Sequence, residues 1–298
     1  MTPTIPTTFL AVEPVNYNSP GNGYDPTMLD LLPRIPAMYA ELGFGGVWGW
    51  NMGGHHFDQS KPPTEFNRTM LPTSPDADIP EKVLWFYENA RNLGMRTGWH
   101  EGDVSQIVYG DIPTEKRVWT SRDHYAQMQK RIATIRSFRP DFTSLDNCGN
   151  LAGMRDVDGN GWKETPEIDD TTYKAKYPRQ EGIVTDVVQL FIGGLPNSRV
   201  IVEPSYRPVE CWWKKRLPPN IPAMQQVDID LKRTHTPSKG FVSPDEFLIL
   251  ASIPQPWNMQ VLRRFIGECH SQGSHAIIKK HHIDAALRAS GHTVPGGG

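Results

Sequence analysis

The sequence is poor in cysteine. Cys148, Cys211 and Cys269 are the only three in 298 residues, and none belongs to a CxxC pair. A disulfide framework, a zinc ribbon and a thioredoxin-type redox motif are therefore excluded. No run approaches eighteen consecutive apolar residues, so no membrane span is expected. Residues 1–8 carry neither a basic n-region nor a long apolar core. No signal peptide is expected, which points to the cytoplasm or to carriage within a larger assembly. A basic stripe is also missing: 31 Lys and Arg stand against 33 Asp and Glu, for a net charge of −2. That argues against a nucleic-acid partner, whose phosphates demand clustered cations. Internal repeats and long charge runs are absent as well. Glycine (26) and proline (27) stay well below the share of the chain that marks low complexity.

What the sequence has in quantity is aromatic residues, nine Trp and nine Tyr among them. Such side chains fill cores, and they also form platforms for ligands with apolar faces, such as sugars. The chain alternates short β-like runs with amphipathic helices. Strand candidates are Thr8–Val15, Phe44–Trp50, Met95–His100, Asp141–Asp146, Arg199–Glu203, Ala223–Asp230, Phe247–Ile253 and Ser274–Lys280. Asp25-Pro26 opens a helix running towards Leu42, broken or kinked at Pro33 and Pro36 because proline lacks a donor N–H. Asp78 and Ser121 cap two more, and others are expected over Gly182–Leu195, Pro208–Leu217, Asn258–Gln272 and Ile283–Ser290. Alternating β and α elements imply right-handed βαβ units on a parallel sheet. Eight repeats fit one domain over residues 1–298, a (β/α)8 TIM barrel of the α/β class. Ser243-Pro244-Asp245-Glu246 also reads as a helix start with a capping box. It leaves Phe247–Ala251 open between helix and seventh strand, with His292–Val294 as the alternative last strand. A doubly wound sheet is the competing architecture. It usually carries GxGxxG after its first strand, and residues 15–23 lack it.

Barrel enzymes place their chemistry at the C-terminal ends of the strands. Those ends are polar here: Glu13, Trp50 with Asn51, Trp99-His100-Glu101, Asp146, Glu203, Asp228 and Asp230, then Lys280 with His281 and His282. Period-two alternation puts Phe142, Ser144 and Asp146 on one face of strand four, and Asp228 with Asp230 on one face of strand six. Two carboxylates facing each other across a mouth suit glycoside hydrolysis, one as nucleophile and the other as acid/base. Strand seven ends Ile253-Pro254-Gln255-Pro256-Trp257 without a carboxylate, whereas an aspartate pair is available on strands four and six.

The stretch Arg139-Pro140-Asp141-Phe142-Thr143-Ser144-Leu145-Asp146-Asn147-Cys148 resembles the nucleophile strand of the α-galactosidase (melibiase) clan of glycoside hydrolases. Gly94-Met95-Arg96-Thr97-Gly98-Trp99-His100 is similar to that clan's third strand. The clan's paired acidic residues after strand two are replaced by Trp50-Asn51-Met52-Gly53. The resemblance implies Asp146 as nucleophile and Asp230 or Asp228 as acid/base, with Glu203 and Lys280 hydrogen-bonding the substrate. Glu13, Trp50, Trp99, His100, Glu101 and His281 complete the expected carbohydrate-binding set. Asp146 also fits an Asx cap at a strand-to-loop turn.

Residues 156–167 satisfy D-x-[DN]-x-[DN]-G-x5-E at every required position. Calcium takes six to eight oxygens. Asp156, Asp158 and Asn160 supply side chains on alternate positions, Gly161 allows the turn, Trp162 offers its carbonyl, Glu164 acts directly or through water, and Glu167 can be bidentate. The segment resembles the calcium loop of EF-hands. Pro166 precludes an ordinary exiting helix, and no second copy exists. The expectation is one isolated Ca²⁺ loop, in a region (151–178) inserted after strand four. A metal-dependent amidohydrolase would want His-x-His on strand one, which is missing. His100, His281 and His282 remain a set that could gather a metal with Glu101, without diagnostic spacing. Two functional classes follow: a retaining glycoside hydrolase, or a non-catalytic glycan-binding or structural barrel within a larger assembly such as a virion or cell-surface complex.

Overall fold

A computed structural model describes residues 5–14, 25–50, 52, 79–101, 121–145, 188–203, 221–231, 246–250 and 258–296. Eight strands, β1 (Thr8–Val12), β2 (Gly46–Trp50), β3 (Arg96–Glu101), β4 (Phe142–Leu145), β5 (Arg199–Val202), β6 (Ala223–Val227), β7 (Glu246–Leu250) and β8 (His275–Lys279), follow in chain order. Each pairs in parallel with the next, and β8 pairs with β1, so the sheet closes on itself. Among the described residues the helices are α1 (Pro26–Leu31), a 3-10 turn (Leu32–Arg34) and α2 (Ile35–Ala40), then α3 (Ile79–Asn92), α4 (Ser121–Phe138), helical residues 188–194, α5 (Met259–Ser271) and α6 (Lys280–Ala289). The architecture is a (β/α)8 TIM barrel.

The local signals act as their chemistry requires. Asp25 caps α1, its carboxylate accepting from the amides of Thr27 (2.9 Å) and Met28 (3.3 Å). Pro33 and Pro36 do not stop the chain but divide it into α-helix, 3-10 turn and α-helix. Asn258 caps α5 through the amide of Val261. Gly94 ends α3 with φ at +72°, a conformation side chains avoid. Residues 246–250 are strand, which resolves the seventh element in favour of β, and His292–Val294 adds no strand. Several boundaries move: the first strand ends at Val12 rather than Val15, and the second begins at Gly46 rather than Phe44. The sixth strand ends at Val227 rather than Asp230, and α6 begins at Lys280, three residues before the expected Ile283.

Strands buried on both faces carry little polar alternation, as parallel strands under helices do. Their side chains nevertheless sort by period two. Phe9, Ala11, Trp48, Trp50, Phe142, Ile201, Met224, Phe247, Ile249 and Ile277 form one cluster inside the barrel. Leu10, Val12, Val47, Trp99, Leu145 and Leu248 belong to the cluster that packs outward against Val83, Phe86, Leu262 and Phe265 of the helices. The lower lumen is an aromatic plug. Trp48 meets Phe9 edge-on at 5.2 Å, stacks on Phe142 at 6.1 Å and lies 5.5 Å from Phe247, which stacks on His275 at 4.4 Å. Trp48 fits because Gly98, its register partner on β3, has no side chain: a Cβ there would sit 2.2 Å from the indole Cε3. Among the described residues no helix is long and apolar enough to cross a membrane.

Candidate functional site

Above this plug the inward positions turn polar. Counting by twos from the lumen cluster places Glu13 after β1, His100 on β3, Ser144 on β4, Glu203 after β5, Gln226 on β6 and Lys279 on β8, all towards the C-terminal mouth. Trp50 and Ile249 are the apolar members of this layer. The groups touch in two sets. In the first, the Trp50 indole stacks on the His100 imidazole, with centroids 3.4 Å apart and planes 11° off parallel. The Lys279 ammonium lies 4.9 Å from the Trp50 centroid and 3.9 Å from Glu13 Oε2. His100 Nδ1 is 2.8 Å from Ser144 Oγ. In the second, the Gln226 amide donates to Glu203 Oε1 at 2.8 Å.

His281 stands exposed on the first turn of α6, its ring 4.1 Å from that of His282. Burial of part of the ring and the nearby Lys279 ammonium hold His281 below the usual imidazole range, while Glu13 and Asp284 oppose that shift. His282 lies deeper. Burial, then His281, then Lys279 push it down to about 3. Both rings are therefore neutral near pH 7.

Several expected site residues lie elsewhere, for one reason: neighbours on a strand face opposite ways. His100 points into the lumen, so Trp99 and Glu101 point out. Trp99 stacks between Tyr87 of α3 and Phe138 of α4, and its Nε1 donates to Glu101 Oε2 at 3.1 Å. Glu101 forms a buried ion pair with Arg131 of α4. Removing one partner of such a pair costs about 3–5 kcal/mol, so it belongs to the barrel wall rather than to a substrate. Lys280 also faces out. Its ammonium donates to Asp284 Oδ2 at 2.6 Å, and Asp284 Oδ1 accepts from the Tyr39 hydroxyl at 2.5 Å. Burial first, and then Asp284, raise the Tyr39 pKa, so the phenol remains the donor. The lysine of the mouth is Lys279, one residue earlier than expected.

On strand six, Asp228 is half-buried just past Val227, and its Oδ1 accepts from the Asp230 amide at 2.9 Å. Asp230 is exposed and pairs with Arg264 of α5 at 3.3 Å, so it turns to the outer helices rather than the lumen. By twos both aspartates continue the phase of Met224 and Gln226, but the strand ends at Val227 and only Asp228 stays beside it. Asp146 lies outside the described residues, as do Asp156, Asp158, Asn160, Trp162, Glu164 and Glu167. Among the described residues no three His, Cys, Asp or Glu side chains gather to hold a metal ion. Lys279, Ser144 and Gln226 were not singled out as binding residues from sequence. Alternation forward from Ile277, and the faces shared with Asp146 and Asp228, carry the signal for them.

No protein-family model matches the chain, and neither does any curated protein. Solved structures do. D-Psicose 3-epimerase from Clostridium cellulolyticum H10 aligns over 92% of this chain and 84% of its own, with 10% identity and a TM-score of 0.49. The β-mannanase of the blue mussel Mytilus edulis aligns over 97% and 93%, with 9% identity and a TM-score of 0.49. A GH138 enzyme targeting pectin rhamnogalacturonan II aligns over 93% and 35%, with 11% identity and a TM-score of 0.48. At these identities the likeness concerns the barrel fold alone.

Proposed function

We propose that this chain is a carbohydrate-active barrel of glycoside-hydrolase type, with its saccharide site at the C-terminal mouth. The supporting observation is the polar layer formed by Glu13, His100, Ser144, Glu203, Gln226 and Lys279 above a sealed aromatic lumen. A barrel serving only as scaffold gains nothing from lining its mouth with charges and amides, which cost desolvation. Sugars present dense hydroxyls, and such a ring of donors and acceptors suits them. In this reading Asp146 is the nucleophile, as the Asp-Asn-Cys resemblance implies. Asp228 is the acid/base, since Asp230 is engaged with Arg264. Trp50 acts as a wall that orients His100 rather than as an open platform, because it is 7% exposed and already stacked. The segment 156–167 binds one Ca²⁺ and orders the region following Asp146.

A second reading, a glycan-binding barrel without turnover in a larger assembly, is favoured by one observation. Glu101 and Asp230 are committed to Arg131 and Arg264, which leaves fewer carboxylates for catalysis than the strand ends suggested. One screen separates the readings. The full chain is incubated with aryl glycosides and a panel of neutral and acidic oligosaccharides, with hydrolysis and binding measured in parallel. Hydrolysis that Asp146→Asn and Asp228→Asn each abolish supports the enzyme. Binding without hydrolysis supports the assembly reading. Neither binding nor hydrolysis across the panel rejects both.

A further inference from the structure

His100 is fixed on two sides. Its ring plane is set by Trp50, stacked at 3.4 Å and 11°. Rotation within that plane is set by Ser144, whose Oγ lies 2.8 Å from Nδ1. Both residues are buried. The same Ser144 hydroxyl lies 3.4 Å from the carbonyl oxygen of Trp99. A hydroxyl has one proton to donate and lone pairs to accept with. If Ser144 donated to His100, its lone pairs would face the Trp99 carbonyl, acceptor against acceptor, in a water-poor site. If it donates to the Trp99 carbonyl, its lone pairs receive an Nδ1–H and both contacts are favourable. From this geometry we propose that Ser144 is a positioning residue that holds His100 as the Nδ1–H tautomer. Nε2 then carries the lone pair and can only accept a hydrogen bond.

A tautomer set by the hydrogen bond on the other nitrogen is the general way an imidazole is prepared for its task. Stacking on Trp50 removes the remaining freedom, so the ring need not reorganise when a ligand arrives. The identity of that ligand as a saccharide rests on the glycan reading above. The tautomer does not.

The test uses the full chain, ¹⁵N-labelled, with two-bond ¹H–¹⁵N correlation spectra of the imidazoles at neutral pH. The ten histidines are resolved by difference against His100→Gln, or against Ser144→Ala if that variant does not fold. The expected wild-type pattern for His100 is a protonated Nδ1 and an unprotonated Nε2. Ser144→Ala loses this single pattern and Ser144→Thr, which keeps the hydroxyl, restores it. A protonated Nε2 in the wild type overturns the inference, as does a tautomer unchanged in a folded Ser144→Ala. The saccharide panel fails independently. An Nδ1–H tautomer in a chain that binds no saccharide rejects the glycan reading and leaves the assignment standing.

Discussion

Replacing Gly98 with alanine probes the barrel's interior with a single methyl group. The new Cβ would lie 2.2, 2.3 and 2.7 Å from Cε3, Cδ2 and Cζ3 of Trp48. Carbon atoms rest at about 3.5–4.0 Å, so the indole must retreat by more than about 1 Å. It has little room: Phe9, Phe142 and Phe247 all lie within 6.1 Å of its centroid. Overpacking costs about 1–3 kcal/mol, and a rigid ring among rigid rings belongs at the upper end. Loss of glycine's unfolded-state freedom offsets about 0.5 kcal/mol. A net loss of about 2.5 kcal/mol lowers Tm by about 4 °C in a chain of this size, at about 2.1 cal/mol/K of unfolding entropy per residue. The assay is thermal and urea denaturation of Gly98→Ala, Trp48→Phe and the double variant. Trp48→Phe removes Cε3 and Cζ3, so the double variant should recover at least about 1 kcal/mol relative to additivity. A Gly98→Ala protein melting within about 1 °C of wild type, with unchanged near-UV circular dichroism, would refute the packing argument.

Four further outcomes are expected. His282 is held at about 3 against an ordinary 6.5, so the unfolded chain takes up the proton first as pH falls. Stability is therefore undiminished above about pH 6.5 and falls towards pH 3, by on the order of 5 kcal/mol at about 1.4 kcal/mol per unit. Urea melts across this range should show a shallower acid limb in His282→Gln. Lys280→Met strands the Asp284 carboxylate beside Tyr39 and should cost about 3–5 kcal/mol, whereas Lys279→Met should leave Tm nearly unchanged and alter saccharide binding. Asp230→Asn, which breaks only an exposed pair, should shift stability by less than about 1 kcal/mol and leave any hydrolysis intact. Calcium at a hundredfold excess over Kd should stabilise the chain by about 2.7 kcal/mol; a melting curve indifferent to both Ca²⁺ and chelator, in wild type as in Asp158→Ala, rejects the loop.

The barrel was legible because its elements announce themselves locally: Asp25 and Asn258 cap, Gly94 stops, and the runs from Phe9 to Ile277 are apolar. The mouth was legible only by half. Glu13, Trp50, His100 and Glu203 sit where strand ends predict, because one residue per strand was in the correct phase. Trp99, Glu101 and Lys280 misled because parallel strands under helices are apolar on both faces, so the sequence does not mark which face is inside. Phase is fixed by the closed register, a long-range property. Strand six misled differently. The chain leaves the sheet at Val227, and an Asx turn at Asp228 sends Asp230 to Arg264, a departure that alternating aspartates cannot signal.

The adjacent Lys279 and Lys280 serve opposite sides of one strand end, and this makes them a lock on alignment. If β8 slid by one residue, every side chain along it would exchange faces. A slide one way would bring Ile278 to the lumen place of Lys279, and the other way would bring Lys280 there. Lys280 and Asp284 lie one helical turn apart and would move together, whereas the Tyr39 hydroxyl on α2 would stay behind. Misalignment would break the hydrogen bond from Tyr39 to the Asp284 carboxylate and leave buried polar groups unpaired, a penalty of about 1–3 kcal/mol. β8 and the helix that follows it are thus checked against α2, and closure of the ring is tied to a match between its two sides.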